Sequence, residues 1–352
     1  MLRKIFLGTS LFFCIGSSYA QTDSTKQVSP APVITGSVDA YYRFNFSDPK
    51  TGSSLNNFTS FTNSQNSFEL GMASIRADHS FGKASATVDL GFGRRAEEFS
   101  YANTDHPTLY AVKQAYLSYA ISDKFKLTMG KWATHIGYEV TDAYLNRNYS
   151  MDYMFSYGPF SHTGIKADIV IGKQSGLMFG FANETDHVSD TLSPKFLLAQ
   201  YSTGTANGKV KVYINYQGSY NSAYSTTQFD AVLTAALTDK FSIGYNGTVQ
   251  TTKPAGMSSA SWWGSAVYLN LDPTAAFGIT LRGEYFDNKK AVVSAPGTSI
   301  FDLTLSPNFR IGNLTIIPEL RMDAGKDMIF EKSDGTATKS TVTGLLAATY
   351  HF

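Results

Sequence analysis

From Val33 to Phe352 the chain keeps returning to one period: apolar and polar residues alternate with a spacing of two. That is the repeat of a strand with one greasy and one wet face. In the first run Ile34, Gly36, Val38, Ala40, Tyr42, Phe44 and Phe46 share one face, and Thr35, Ser37, Asp39, Tyr41, Arg43 and Asn45 the other. The pattern predicts sixteen strands, over 33–46, 67–79, 83–93, 111–121, 124–131, 164–171, 175–183, 195–202, 208–217, 227–237, 240–250, 261–271, 275–286, 299–310, 313–324 and 341–352. Their connections alternate. Short ones centre on Phe81-Gly82, Ser122-Asp123, Gly172-Lys173, Gly204-Thr205, Thr238-Asp239, Asp272-Pro273 and Gly312-Asn313; long ones cover 47–66, 94–110, 132–163, 184–194, 218–226, 251–260, 287–298 and 325–340. No segment after the first twenty residues has the run of apolar residues a spanning helix needs. Only helices and closed barrels satisfy every backbone polar group in lipid. The expected fold is therefore all-β: a transmembrane, antiparallel, up-and-down β-barrel of about 16 strands over 33–352, with short periplasmic turns and long extracellular loops. One phase break, near Met72, predicts a bulge.

Composition agrees. Only 16% of residues are charged, against roughly a quarter in a soluble domain. Aromatics reach 14%, yet mean hydropathy is −0.15. Met1–Ala20 reads as a secretory signal peptide: Arg3 and Lys4, an apolar core over Ile5–Ile15, then Ser18-Tyr19-Ala20 as the cleavage site. Cys14 lies inside that core, so the mature chain is expected to hold no thiol chemistry. Residues 21–32, with Pro30 and Pro32, read as a flexible periplasmic tail. Losing Arg3 and Lys4 takes the formal charge from +1 to −1, which offers nothing to nucleic acid. Aromatic clusters at Tyr42, Phe44 and Phe46, at Trp262-Trp263 and at Tyr285-Phe286 suit girdles at the lipid–water interfaces.

The stretch 132–163 is the longest gap without a clean period, and a gap of that length is usually functional. It contains Gly137-Tyr138-Glu139, Asn146, Tyr149-Ser150, and Pro159 followed by His162-Thr163-Gly164. With the leader, the alternating strands and the terminal Ala348-Thr349-Tyr350-His351-Phe352, these residues resemble the OmpL-like β-barrel porins, common in Bacteroidetes-type Gram-negative bacteria. The resemblance implies a pore in the cell outer membrane for passive diffusion of small hydrophilic solutes. It also implies contact with outer-membrane lipid and lipopolysaccharide, and Phe352 as a signal to the barrel-assembly machinery. It names no solute and no oligomeric state.

If the apolar faces meet lipid, the lumen lining includes Asp39, Arg43, Lys83, Asp89, Arg94, Lys166, Asp168, Lys209, Lys211, Asp230, Arg282, Glu284, Glu319, Arg321 and Asp323. The neighbours Arg282/Glu284 and Glu319/Arg321 are candidates for mutual pairing. The signs are mixed, so strong ion selectivity is not expected. The third loop is expected to fold inward, with Tyr138 and Tyr149 packed on the inner wall and Glu139, Asp142 and Asp152 facing the constriction, where they would favour cations. Arg43, Lys83, Arg94 and Arg95 would form an opposing basic wall. Arg94-Arg95 followed by Glu97-Glu98 also reads as a solvated loop face. The alternative is a loop that merely caps the outer mouth. The six histidines form no hydrolase or metalloprotease motif, so neither catalysis nor a metal or other cofactor is expected. A non-conducting barrel (adhesin, scaffold or lipid-facing enzyme) is the rival function.

Overall fold

The computed structural model describes residues 29–50, 55–103, 107–191, 193–222 and 224–352. The expected leader, and the tail up to residue 28, lie outside the described residues; 29–32 are exposed and irregular. The strands are β1 (Val33–Asn45), β2 (Ser67–Phe81), β3 (Ala84–Phe92), β4 (Val112–Ser122), β5 (Phe125–Ala133), β6 (Ser161–Val170), β7 (Gly176–Ala182), β8 (Phe196–Gly204), β9 (Val210–Tyr220), β10 (Tyr224–Ala236), β11 (Phe241–Pro254), β12 (Ala260–Leu271), β13 (Phe277–Asp287), β14 (Ser299–Ile311), β15 (Leu314–Gly325), β16 (Phe330–Glu331), β17 (Ala337–Thr338) and β18 (Ser340–His351). All but β16 and β17 close one antiparallel barrel in which each strand pairs with its chain neighbours and β18 closes on β1, as in Tyr41 opposite Ala347. The hairpin β16–β17 stands apart in the last long loop, and two short helices, α1 (Arg94–Phe99) and α2 (Tyr153–Tyr157), lie in the second and third.

The alternation works as the period requires. Leu117, Met129 and Ile214 are exposed on the outer face, while their neighbours Ser118, Thr128 and Asn215 are buried within. A side chain in hydrocarbon and one in a polar lumen are thus separated by a single residue. The phase break is a bulge at Gly71: Asp39 pairs with Met72 and Ala40 with Leu70, so Met72 turns inward while Leu70 stays outside.

Three expectations need correction. The ladder between β9 and β10 runs to Ser225–Tyr220, and that between β11 and β12 to Thr252–Ala260, so the loop drawn over 218–226 is a short turn and the one over 251–260 shrinks to 253–259. Polar strand ends there kept their pairing although the apolar pattern had faded. Lys83 and Lys209 sit on periplasmic turns rather than in the lumen wall, because β3 begins only at Ala84 and β9 at Val210. The aromatic pairs also divide between faces: Trp263 and Tyr285 point out with their rings in tilted contact at 5.3 Å, whereas Trp262 and Phe286 are fully buried inside. Phe352 pairs backbone-to-backbone with Gly36 at the periplasmic end, and its ring is exposed.

Candidate functional site

The third loop leaves β5, sweeps round the inside of the barrel and returns at β6. Each step is marked by a bond to an inward-facing wall residue. Gly137 N donates to Asp230 Oδ1 (3.1 Å) and Tyr138 N to Asn246 Oδ1 (3.1 Å). Gly137 has φ +95°, a conformation glycine adopts freely. The Tyr138 ring stacks on Tyr268 at 4.1 Å and lies on Gly244, where a Cβ would come within 2.7 Å of it. Glu139 pairs with Arg282 (2.7 Å) and Asp142 with Lys113 (2.5 Å). The loop then descends until Tyr144 stacks on His351 and Arg147 pairs with Asp272, both at the periplasmic end. It climbs again along β14 and β15. Glu319 accepts the N–H groups of Tyr149 (2.8 Å) and Ser150 (3.1 Å), and the Tyr149 hydroxyl donates to Asp39 (2.6 Å). Glu284 accepts the N–H groups of Tyr153 (2.8 Å) and Met154 (2.9 Å).

The sequence explains why α2 sits where it does. Asp152 caps its start by accepting from Phe155 N (2.6 Å). The same carboxylate accepts from the Tyr268 hydroxyl (2.7 Å), which ties the cap to the wall. Tyr153 and Met154 then enter an apolar cluster with Trp262, Ala266, Phe286 and Ile300. A second cluster, Phe61, Phe99, Met151, Phe155 and Phe160, joins the third loop to the first two. At the return, Asp186 accepts from Phe160 N (2.8 Å) and Ser161 N (2.7 Å), and burial pushes its carboxyl up to about 6.

Behind the loop runs a buried charge ladder. Arg282 binds Glu139 and also Asp302 (3.1 Å); Arg321 binds Asp302 (2.8 Å) and Asp323 (2.9 Å). Both guanidinium groups also donate to loop carbonyls, Arg282 to Ser150 O (2.8 Å) and Arg321 to Met151 O (2.7 Å). At mid-height the inward residues Asp39, Met72, Asp89, Trp132, His162, Leu198, Asn215, Asp230, Asn246, Tyr268, Arg282, Thr304 and Glu319 are all buried. A ring of buried residues round the circumference means that the third loop, with the first two, fills the lumen there. A cavity of about 10 Å³ between Arg43, Ser150 and Arg321 has space for about one water.

A family model described as "Putative beta-barrel porin-2, OmpL-like" matches residues 33–352. The chain belongs to that family. It is an outer-membrane porin, and its barrel agrees with solved porins. An anion-selective porin from Comamonas acidovorans is 8% identical, with TM-score 0.62 over 92% of this chain and 99% of that one. The outer-membrane channel DcaP of Acinetobacter baumannii is 11% identical, with TM-score 0.62 over 91% and 97%. OprB of Pseudomonas putida is 10% identical, with TM-score 0.61 over 92% and 94%. At these identities the likeness is one of fold. No curated protein matches by sequence.

Within the porin the predicted site residues fall into three groups. Glu139, Asp152, Tyr138, Tyr149, Asp39, Arg282, Glu284, Glu319 and Arg321 meet in the loop's seat. The loop acids do not face an open constriction as expected: Glu139 is 4% and Asp152 0% exposed, because each is bonded to the wall. The neighbouring pairs Arg282/Glu284 and Glu319/Arg321 do not bond to each other; both carboxylates take loop N–H groups instead. The basic wall dissolves as well. Arg43 donates to Ser64 O (2.5 Å) in the first loop, and Arg94 pairs with Glu69. Arg95 is fully buried against the Phe61 and Tyr149 rings and 3.9 Å from Asp39, so it is no solvated face. The second group is Asp89, which pairs with Lys113 (3.2 Å), and Asp142 beyond it. The third is a partly open periplasmic vestibule. Arg76 and Asp78 of β2, Lys126 of β5, Lys166 and Asp168 of β6 and Lys211 of β9 line one side, and Arg147, Asp272 and Arg310 the other.

Sequence reasoning missed Lys113, Tyr268 and Asp302. Strand parity puts Asp302 and Tyr268 on the inner face and would have found them. Lys113 sits in a register shift opposite Asp89/Leu90, where parity fails.

Proposed function

We propose that this porin is closed at mid-height by its third loop, so that small hydrophilic solutes pass when residues 137–155 leave their seat in whole or in part. The observation that carries this reading is the complete ring of buried inward-facing residues. Over residues 137–150 the seat is largely polar, and its bonds to Asp230, Asn246 and Glu319 are ones that water can replace, which favours undocking of that part; Met151 and Tyr153 to Phe155 are held by apolar clusters. Outer-membrane lipid surrounds the barrel. Contact with lipopolysaccharide, and recognition of Phe352 by the assembly machinery, belong to the same proposal.

Selectivity would then follow the vestibule instead of the loop acids. Arg76, Lys126, Arg147, Lys166, Lys211 and Arg310 face Asp78, Asp168 and Asp272 there: six cations against three carboxylates leave an excess of three positive charges. A weak preference for anions results. Deleting residues 140–155 tests the reading in a planar bilayer. Single-channel conductance rises while heat-modifiable migration shows an intact barrel; unchanged conductance in a folded deletion protein overturns it.

A further inference from the structure

Two prolines face each other in the barrel wall. Leu305 of β14 pairs with Leu320 of β15, and Phe309 with Ile316, but no pairs form between these points. The register places Pro307 opposite Pro318 in that gap. Neither can donate to the ladder, and proline is normally confined to sheet edges for that reason. In a closed barrel there is no edge, so the wall carries a short unpaired seam.

The inner side of the seam is sealed by the third loop. Asn308 Nδ2 donates to Ser306 O (2.9 Å) and to Arg147 O (3.0 Å), Ser306 Oγ donates to Glu319 (2.8 Å), and Glu319 takes the loop N–H groups already described. The outer side is a groove of about 650 Å³, lined chiefly by Tyr42, Phe44, Leu305, Pro307, Pro318 and Leu346. Gly344 faces outward and adds no side chain of its own; the Phe46 ring, which also lines the groove, lies over it, 3.2 Å from where a Cβ would stand. Glu319 and Leu345 face inward, yet they border both this groove and the small cavity within, so the wall is thin at this point.

We propose that the groove is a binding site for one acyl chain of a membrane amphiphile, seated on the proline seam opposite the loop's anchor. The groove lies on the lipid-facing belt, where hydrocarbon is the surrounding medium. Its lining offers rings and branched aliphatic groups and no outward charge. Its volume is that of an ordinary ligand site, roughly 300–1,000 Å³. The small side chains of Gly344, Pro307 and Pro318 leave the groove between the larger residues that line it. The seam also gives the chain a role: it fills the outer side of a wall section that lacks its ladder.

The test is photolabelling of the full mature porin in vesicles of phosphatidylethanolamine carrying a diazirine on one acyl chain. The expected result is several-fold more label on the peptides holding Leu305, Leu320 and Leu346 than on those holding Leu197 and Ile214 across the barrel. Gly344→Leu pushes the overlying Phe46 ring into the groove and should abolish the excess; Leu346→Trp, which fills the groove from its side, does the same if the first variant assembles poorly. Equal labelling round the belt would show ordinary annular lipid and overturn the proposal. So would protein–protein cross-links in place of lipid adducts, which would mark a subunit interface. Labelling does not depend on conductance, so this result and the fate of the loop-gating reading can be told apart.

Discussion

Arg282 is the residue whose loss separates the loop's seat from the barrel. It is fully buried between Glu139 of the loop and Asp302 of β14, and it donates to Ser150 O. Arg282→Met keeps volume and removes the charge. Two carboxylates then remain buried, one of them, Asp302, still bound by Arg321. Breaking a buried pair by removing one partner costs about 3–5 kcal/mol. The wall does not depend on this side chain, since β13 keeps full ladders to β12 and β14. The cost therefore falls on the docked loop. It lowers the docked-to-undocked ratio roughly a hundredfold to a few thousandfold. In single-channel records the variant should open far more often than the wild type, with unchanged heat-modifiable migration. Adding Glu139→Gln removes one stranded charge and should recover part of the closed population. A folded Arg282→Met porin with wild-type opening frequency would refute the reasoning, because the ladder would then be decoration on the wall.

Three further outcomes are expected. Ile214→Arg places a charge in lipid and should cost about 2–4 kcal/mol near the midplane, seen as failed assembly; Asn215→Arg should instead assemble but disturb the seat, because Asn215 donates to Asp230 (2.7 Å), and should raise conductance. Asp186 titrates near 6 in the folded loop against an ordinary value of 3.8, so its protonated form is favoured by folding. That contribution, about 3 kcal/mol, is present below about pH 4 and lost as pH rises through 6, so the temperature of the heat-modifiable transition should fall over that span in the wild type but not in Asp186→Asn. Finally, Lys166→Glu with Lys211→Glu should move the zero-current potential in a salt gradient toward cation preference, whereas Glu139→Gln should not shift selectivity directly; equal, sizeable shifts from both would mean that the loop acids face the permeating ions.

The barrel was legible in the chain because its cause is local. A strand with lipid on one side and polar groups on the other must alternate, and the alternation from Ile34 to Phe46 or from Val210 to Gln217 is visible without any contact being known. The short-turn, long-loop rhythm then orients the barrel. Even the Gly71 bulge showed as a phase break at Met72. The partners of inward residues were not legible. Parity says that Glu284 and Arg282 share a face, but sequence neighbours two apart on a strand need not bond when a loop brings better donors. Glu319 and Glu284 meet the N–H groups of Tyr149, Ser150, Tyr153 and Met154 only because the loop crosses the lumen, a separation of more than a hundred residues. Parity already separates Trp262 from Trp263 and Phe286 from Tyr285; tertiary structure decided that the inward members pack against the loop. It decided that Glu139 and Asp142 are paired with Arg282 and Lys113, and that Asp152 takes the Tyr268 hydroxyl, instead of being left to water. Local chemistry sets the faces of a strand; which distant group satisfies an inward charge depends on where the chain returns.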